Sequence, residues 1–593
     1  MKSALFLLAT VGFIAPAAAQ DPLAPLPQDP VQTPKPAPSP VVIYAPPVPA
    51  TPTPAPSATP VVRPIVIPTN WRGVFNAIRA GDWAGAQAGI ATLPSGILTP
   101  VAKAELYTAK GSPTVDLASL QALLAEAPEL PQAEQLARMA VTRGATTPPL
   151  IMQRRALVSL GTPPARYRAR PVQGEPAADA LRAAVDPLVD ANDYTSAEAL
   201  LIQQGPYLSI EARAEAGQRV AWIYYSQGYD AEARRVADTW RVGARGEWAS
   251  QAAWISGLAS WRLNDCEAAS RAFREVAATA TQRELNAGAL YWAARSEQAC
   301  KRPRAVAPLL RAAARSPESF YGLMARETLG MDTRLPPDPH SSAGTVEGLP
   351  NVRRAVELVN IGERALAEEM IRHQARIGNP SDHHGLIEFA KRLDLAGAQF
   401  WLANNGQPGA TVDPVDRYPT PRWAPATGWR VDPALAFAHI IQESTFRAEA
   451  VSPVGAVGLM QVRPGTAEDM ARARGLVYSR ASLTDPRYNL EFGQSFIELM
   501  RRTPGTAGQL PRVIASYNAG PVPVARWAAI PDRGDPLLWI ESIPYWETRY
   551  YVPAVLRNMW VYQGIARSEQ PALRAMAQHR WPAFPDAHSL VLR

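Results

Sequence analysis

The chain of 593 residues is too long for a single hydrophobic core, so three or four domains are expected. Its net charge of +7 suits an anionic partner such as a cell-wall polymer, nucleic acid or a membrane surface. Nucleic acid ranks low because no dense Lys/Arg run with interleaved aromatic residues occurs. A membrane-spanning helix is not expected, because no run of about 20 apolar residues is present after the short apolar stretch near the start of the chain.

The chain begins with the pattern of an export signal. Lys2 precedes an apolar stretch from Ala4 to Ile14, and Ala17-Ala18-Ala19 forms an A-x-A cleavage site, so residues 1–19 predict a signal peptide. No cysteine follows the cleavage point to carry a lipid anchor. We therefore expect a soluble periplasmic protein. Residues 20–68 are so rich in proline that they predict a disordered, polyproline-II-like linker, which is either a spacer or docking arm or a plain unstructured leader.

Residues 69–333 predict an α-solenoid of helical hairpins. A short sequence motif recurs in which Gly or Asn ends one helix and small residues begin the next. The last three of its four copies start about 36 residues apart, which is the length of a helical-hairpin repeat. Stacked hairpins form a curved or ring-like array. The copies are Gly81–Ala86, Asn192–Ala197, Gly228–Ala233 and Asn264–Ala269.

The two cysteines, Cys266 and Cys300, are too few for a disulfide scaffold and lack metal-ligand spacing. They lie about one repeat apart, each near a helical turn. A disulfide that staples adjacent hairpins is chemically reasonable in an exported protein, whereas in the cytosol they would be two buried thiols.

A Pro- and Gly-rich break follows the solenoid, and two further domains are expected after it. Residues 334–414 predict a small helical linker domain, and residues 415–593 predict a mainly α-helical domain that carries the chemistry.

Glu443 is the leading catalytic candidate. Asp432 and Pro433 form a helix start signal, and the helix that follows is apolar nearly all round until it reaches Glu443. A carboxyl group on a buried helix is partly desolvated, which favours its proton-donating form. The alternative is a surface glutamate just beyond a helix end.

Three further segments combine an apolar anchor with a few polar groups, and together with Glu443 they favour a carbohydrate groove. No HExxH, P-loop, Rossmann glycine pattern or G-x-S-x-G elbow is present. The segments are Ser452–Gln461, Tyr517–Gly520 and Ile543–Val552.

In their order and spacing these motifs resemble those of the soluble lytic murein transglycosylases. That family combines a helical superhelix, a linker domain and a goose-lysozyme-like catalytic domain. The resemblance implies that Glu443 is the single catalytic acid and base, and that Tyr517 is placed to hydrogen-bond either its carboxyl or the sugar's N-acetyl group. It implies substrate contacts at Ser444, Ser452, Gly458, Gln461, Tyr517, Asn518 and Glu547. Two positions depart from the family pattern, Arg463 in place of Met and Ser516 in place of Ala.

The activity implied is non-hydrolytic cleavage of the β-1,4 bond between N-acetylmuramic acid and N-acetylglucosamine, which leaves 1,6-anhydromuramic acid ends. No cofactor is implied, and the expected partners are peptidoglycan glycan strands and other cell-wall enzymes, with a monomeric protein and no nucleic acid. Two alternatives stay open: a lysozyme-like hydrolase, and a catalytically idle cell-wall-binding scaffold.

Overall fold

The computed structural model describes residues 66–336 and 344–585, so the expected signal peptide and nearly all of the Pro-rich linker lie outside the described residues. Within the described ranges nearly all regular structure is α-helical, which confirms the expected all-α fold class. The one strand pair there joins β1 (Val158–Ser159) to β2 (Asn405–Gly406) in antiparallel register.

The helices of the N-terminal half carry the repeat turns. They are α1 (Trp71–Ala80), α2 (Trp83–Thr92), α3 (Thr99–Thr108), α4 (Leu117–Glu126), α5 (Ala133–Thr142), α6 (Pro176–Ala191), α7 (Tyr194–Gln204), α8 (Ile210–Ser226), α9 (Asp230–Trp240), α10 (Gly246–Arg262), α11 (Cys266–Thr279), α12 (Arg283–Ala299), α13 (Pro303–Ala313) and α14 (Phe320–Thr328).

The helices of the C-terminal half include those of the candidate site. They are α15 (Pro350–Asn360), α16 (Arg364–Ile377), α17 (His383–Arg392), α18 (Ala396–Asn404), α19 (Pro433–Glu443), α20 (Pro464–Arg474), α21 (Pro486–Arg502), α22 (Leu510–Ala519), α23 (Pro521–Arg526), α24 (Pro536–Glu541), α25 (Trp546–Ile565) and α26 (Pro571–Ala577).

The described residues form two compact units. One contains residues 66–154 and 347–377, and the other contains 155–336, 344–346 and 378–585. The segment expected to form one linker domain is thus divided between the two units, with α15 and α16 in the first and α17 and α18 in the second. The domain limits given above remain predictions.

In the first unit, polar contacts over long sequence distances hold α15 and α16 against the N-terminal helices. Glu129 receives hydrogen bonds from Arg354 Nη1 to its carboxylate (2.6 Å) and from Asn351 Nδ2 to its backbone carbonyl (2.8 Å). The guanidinium of Arg79 binds both carboxylate oxygens of Glu363 at 2.8 Å. Residue pairs more than 200 positions apart therefore decide that α15 and α16 pack with α1–α5.

The recurring sequence motif forms a compact helix-to-helix turn. Asn192 ends α6 in the left-handed conformation (φ 56°), and Asp193 then caps α7 by accepting a hydrogen bond from the backbone N–H of Ser196. Asn264 (φ 60°) and Asp265 repeat this arrangement before α11. A left-handed residue satisfies the carbonyls at one helix end, and the following aspartate satisfies the amides of the next helix. The hairpins α6–α7, α8–α9, α10–α11 and α12–α13 are built in this way or on close variants of it.

Cys266 at the start of α11 and Cys300 at the end of α12 are joined by a disulfide, with Cα atoms 5.5 Å apart. The bridge therefore ties neighbouring helices of the stack. It closes a loop with a sequence separation of 34 residues.

We expect the Cys266→Ser/Cys300→Ser variant to be less stable than the wild type by about 3–4 kcal/mol, because the bridge restricts a loop of this length in the unfolded chain. Urea unfolding of both proteins without reductant measures the difference. The control is wild-type protein under reductant, which should match the variant. Equal midpoints for variant and oxidised wild type would contradict the expectation.

The catalytic candidate lies in the second unit, where α19 packs against α25. Every residue of α19 from Pro433 to Ile441 is buried. Asp432 caps this helix by accepting a hydrogen bond from the backbone N–H of Ala434 at 2.7 Å, and Gln563 of α25 donates to the other oxygen of Asp432 at 2.9 Å. The start signal predicted at Asp432 and Pro433 is confirmed, and the cap also fixes α19 to α25.

Candidate active site

Glu443 is the last residue of α19. Beyond it the backbone of Thr445 (φ 53°) and Phe446 (φ 64°) takes the left-handed conformation, which is uncommon for residues other than glycine, so the chain turns away from the helix axis at once. The buried Phe446 side chain anchors this turn. The Glu443 carboxyl is left half-buried at the end of the helix.

Burial raises the pKa of Glu443 from 4.5 to about 7, against a hydrogen bond from Tyr551 that lowers it and with a further contribution from the negative charge of Glu547. A carboxyl group with this pKa is populated in both protonation states near neutral pH. It therefore has the property required of a group that donates a proton in one step and accepts one in the next.

Tyr551, on the second turn of α25, is the direct partner of Glu443. Its hydroxyl donates to Glu443 Oε1 at 2.5 Å and lies 2.7 Å from Nδ1 of His439. Tyr551 belongs to the segment Ile543–Val552, and neither it nor His439 is among the site residues predicted from the sequence. The position of His439 four residues before Glu443, on the same face of α19, was the available signal.

Tyr517, on α22, does not hydrogen-bond to the Glu443 carboxyl, which is one of the two partners expected from the sequence. Its hydroxyl donates to the backbone carbonyl of Met460 at 2.7 Å, while its ring packs on His439 with centroids 4.4 Å apart. The hydrogen bond to the Glu443 carboxyl comes from Tyr551, because α25 lies directly along α19. Tyr517 closes the other side of the same buried cluster, and burial, together with the charge of Glu443, raises the pKa of its hydroxyl.

The segment from Ser452 to Gln461 is a tight loop whose polar side chains bind its own backbone. Ser452 Oγ accepts from the N–H of Ala456 at 3.0 Å, and Gln461 Nε2 donates to the carbonyls of Gly458 (2.8 Å) and Ala450 (3.2 Å). Gly458 has a φ of 83°, and a Cβ atom there would lie 2.2 Å from both Asn489 Nδ2 and the Leu483 carbonyl oxygen. Only glycine fits this position.

The remaining expected contact residues lie on both sides of Glu443. Ser444 is buried and its hydroxyl faces the Ile440 carbonyl at 3.4 Å. Asn518 donates to Glu547 Oε1 at 3.3 Å and accepts from the hydroxyl of Thr548 at 2.6 Å, which joins the end of α22 to the start of α25. The Glu547 side chain is exposed. Of the two departures, Ser516 is fully buried and Arg463 immediately precedes α20.

Two cavities adjoin the Glu443–Glu547 region. The smaller, about 270 Å³, is lined by residues that include Gln442, Trp546, Glu547 and Tyr551. The larger, about 860 Å³, is lined by solenoid residues that include Arg168, Arg219, Trp222 and Trp248, and by Asn518, Tyr545 and Glu547. Glu547 lines both cavities, and the larger one extends to the solenoid helices.

A buried polar cluster beside the smaller cavity joins α10 and α14 to α24. The carboxylate of Glu541 receives hydrogen bonds from Arg166 (2.6 Å), Tyr321 (2.7 Å) and the indole N–H of Trp254 (3.3 Å). The Arg166–Glu541 ion pair is deeply buried and is supported by the Tyr321 and Trp254 donors. The cluster therefore holds α24 in one geometry relative to α10 and α14.

Part of the second unit, including α19, is similar to a known domain family. Residues 423–539 match the family model described as "Transglycosylase SLT domain", so the family resemblance predicted from the sequence is confirmed. The match ends before Glu547 and Tyr551, which therefore enter the site from outside the matched range.

Among curated proteins, the chain is similar to the soluble lytic murein transglycosylase of Escherichia coli K12, with 28% identity over 253 residues, which cover 40% of this chain and 38% of that protein. The corresponding protein of Salmonella typhimurium is 29% identical over the same length. The match thus spans less than half the length of these relatives.

Two solved structures share the fold. Lytic transglycosylase Slt from Pseudomonas aeruginosa, solved as an inactive mutant, matches with a TM-score of 0.52 and 19% identity over 86% of this chain and 88% of its own. The 70 kDa soluble lytic transglycosylase of Escherichia coli matches with a TM-score of 0.53 and 16% identity over 86% of this chain and 98% of its own.

Proposed function

We propose that this protein is a peptidoglycan lytic transglycosylase that cleaves the β-1,4 bond between N-acetylmuramic acid and N-acetylglucosamine without water, forming 1,6-anhydromuramic acid ends. The observation that carries the proposal is the half-buried Glu443, whose pKa is raised to about 7 and whose carboxyl is held by Tyr551. The names of the relatives support the same activity.

In the first step, protonated Glu443 donates its proton to the glycosidic oxygen, which leaves as the 4-hydroxyl of N-acetylglucosamine while the C1–O bond of the muramoyl residue breaks. The proton comes from Oε2, since Oε1 accepts from Tyr551. The buried surroundings of Glu443 keep the acid form populated near neutral pH.

In the second step, the Glu443 carboxylate removes the proton of the muramoyl 6-hydroxyl, whose oxygen attacks C1 of its own ring. The 1,6-anhydro bond forms and Glu443 is protonated again. Because this nucleophile belongs to the substrate, one carboxyl group serves both steps. A hydrolase normally places a second carboxylate about 5 Å from the first, or further away to activate water.

The roles assigned to the other residues follow from their positions around Glu443. Tyr551 stabilises the carboxylate formed in the first step. Asn518 and Glu547 line the larger cavity and are proposed to contact the glycan there. Ser452, Gly458 and Gln461 shape the loop, and we propose that its backbone, rather than these side chains, faces the sugar, since the side chains are engaged within the loop.

We propose a monomeric periplasmic protein, exported by the signal peptide expected at residues 1–19, that acts on glycan strands. None of the described helices is both long and apolar enough to cross a bilayer. Residues 20–68 are proposed to tether or space the folded part, and the solenoid is proposed to contact the substrate or other cell-wall enzymes.

The proposed function predicts a pH profile with a basic limb. In the free enzyme the reactive form of Glu443 is the protonated one. The value of kcat/KM should therefore be highest below pH 7 and should fall tenfold per pH unit well above the pKa of about 7. Initial rates of muropeptide release between pH 4.5 and 9 measure this. A profile that is flat across pH 7 would show that Glu443 is not the acid.

The test of the function itself is product analysis. Purified cell-wall sacculi digested by the protein should release muropeptides that are one water lighter than their reducing counterparts. Reducing ends would indicate the hydrolase instead, and no release of muropeptides by folded protein would indicate the binding scaffold.

A further inference from the structure

His439 forms the end of a hydrogen-bonded chain that reaches Glu443. Its Nδ1 lies 2.7 Å from the Tyr551 hydroxyl, and that hydroxyl donates to Glu443 Oε1 at 2.5 Å. His439 is buried one helical turn before Glu443, and its ring packs on Tyr517 at 4.4 Å between centroids and on Tyr551 at 5.7 Å. The ring is thus held between two tyrosines with its Nδ1 edge directed at one of them.

When Glu443 is ionised its carboxylate can only accept, and the chain then has one arrangement of protons in which both hydrogen bonds form. The Tyr551 hydroxyl carries a single proton and has two neighbours that can accept it, the Glu443 carboxyl and a bare Nδ1 of His439. Since the proton goes to Glu443 Oε1, Nδ1 must itself carry a proton and donate it to the Tyr551 oxygen. The ring is neutral, because burial lowers the pKa of His439 to about 3. Its single proton therefore lies on Nδ1.

We propose that His439 is a positioning residue for the acid–base chemistry: its Nδ1–H donates to the Tyr551 oxygen, which turns the tyrosine proton onto Glu443 Oε1 and leaves Oε2 as the oxygen that carries the exchangeable proton. This inference rests on the proposed function of Glu443. It adds that the carboxyl has one working oxygen, selected by a neutral histidine that never contacts the substrate.

Among the groups around the Glu443 carboxyl, Tyr551 hydrogen-bonds to it directly and His439 hydrogen-bonds to Tyr551. From α25 the carboxyl faces Tyr551 and the exposed Glu547, and from α22 it faces Tyr517, while His439 on its own helix reaches it through Tyr551. Tyr517 donates to Met460 and so does not compete for Oε1. Oε2 receives no hydrogen bond from the described residues, which leaves it free for the substrate.

The first test needs no activity. In the full-length protein labelled with ¹⁵N-histidine, the resonances of His439 are identified among those of the seven histidines by their absence from the spectrum of His439→Asn. We expect the Nδ1 resonance of His439 to be of the protonated, pyrrole type at pH 5.5 and at pH 8.5. An unprotonated, pyridine-type Nδ1 at either pH would overturn the inference, and it would do so whether or not the protein cleaves peptidoglycan.

The second test separates positioning from packing. His439→Leu removes the donor, so kcat should fall about tenfold with KM within about twofold, and the basic limb should move up by about half a pH unit because the carboxylate is less well stabilised. His439→Asn places an amide N–H near the Nδ1 position and should restore the limb and most of kcat. Equal losses in both variants, or no shift of the limb with leucine, would contradict positioning.

The structure offers a matched control. His579 is also a histidine with a pKa lowered by burial, and its Nε2 lies 3.2 Å from the hydroxyl of Tyr291, away from Glu443. His579→Leu and His579→Asn should leave the pH profile unchanged. A wild-type protein that released no anhydromuropeptides would instead count against the proposed function, while the resonance of His439 would still decide this inference.

Discussion

Replacing Glu443 with Gln should reduce the release of anhydromuropeptides by about 1,000-fold or more. A positioned general acid or base contributes about 10²–10⁴ in rate, and Glu443 is proposed to act in both roles in turn. Glutamine keeps the shape of the side chain and can still accept from Tyr551, but it neither donates the proton to the glycosidic oxygen nor removes one from the 6-hydroxyl. Product release from purified sacculi, followed by mass spectrometry, measures the loss.

Glu449→Gln is the matched control, since Glu449 is an exposed acid six residues further along the chain and should not affect the rate. The Glu443→Gln variant must also be shown to fold. The folded-state pKa of Glu443 is raised, so its favourable contribution to stability is present below pH 4.5 and is lost as the pH rises through 7. The variant should therefore melt no lower than the wild type at pH 8. Near wild-type release by the variant would contradict the assignment of Glu443.

Replacing Tyr551 with Phe should lower kcat by about tenfold to a hundredfold. The variant loses the 2.5 Å hydrogen bond to Glu443 Oε1, and a hydrogen bond to a charged group contributes about 1.5–3 kcal/mol. The carboxylate formed when the glycosidic bond breaks is then less stable. For the same reason the pKa of Glu443 rises, and the basic limb of the pH profile should move up by about one unit.

Tyr562→Phe is the control for this prediction. Tyr562 lies on the same helix, is buried, and donates its hydroxyl to the carbonyl of Pro419 at 3.0 Å rather than to Glu443. It should lose some stability without a change in the pH profile. If Tyr551→Phe and Tyr562→Phe affect kcat equally, or if Tyr551→Phe leaves the limb in place, the hydroxyl of Tyr551 does not act on Glu443.

The local parts of this structure were accessible from the sequence because short-range rules decide them. Helix α19 begins after Asp432 as its cap and proline indicate, and the turns at Asn192 and Asn264 follow from a left-handed residue and an aspartate cap. Helix α20 begins at Pro464. The preference of proline for the first helical position would have located that start.

The parts that were not predicted depend on contacts between distant residues. Which of Tyr517 and Tyr551 reaches Glu443 is set by how α22 and α25 lie on α19, and Tyr551 is 108 residues from its partner. Helical periodicity places His439 on the same face as Glu443 but does not tell a buried hydrogen-bond donor from a core residue. Similarly, the bond between Arg354 and Glu129 spans 225 positions, so the division of the expected linker domain has no local signal.

We propose that Glu443 alone, as acid and then as base, cleaves the glycan without water. The most direct measurement is digestion of purified sacculi in H₂¹⁸O at pH 6, with mass spectrometry of the released muropeptides. We expect 1,6-anhydromuramic acid ends that contain no ¹⁸O. Reducing ends that carry one ¹⁸O atom per cut would contradict it, because they would show that water, and not the muramoyl 6-hydroxyl, attacks the anomeric carbon.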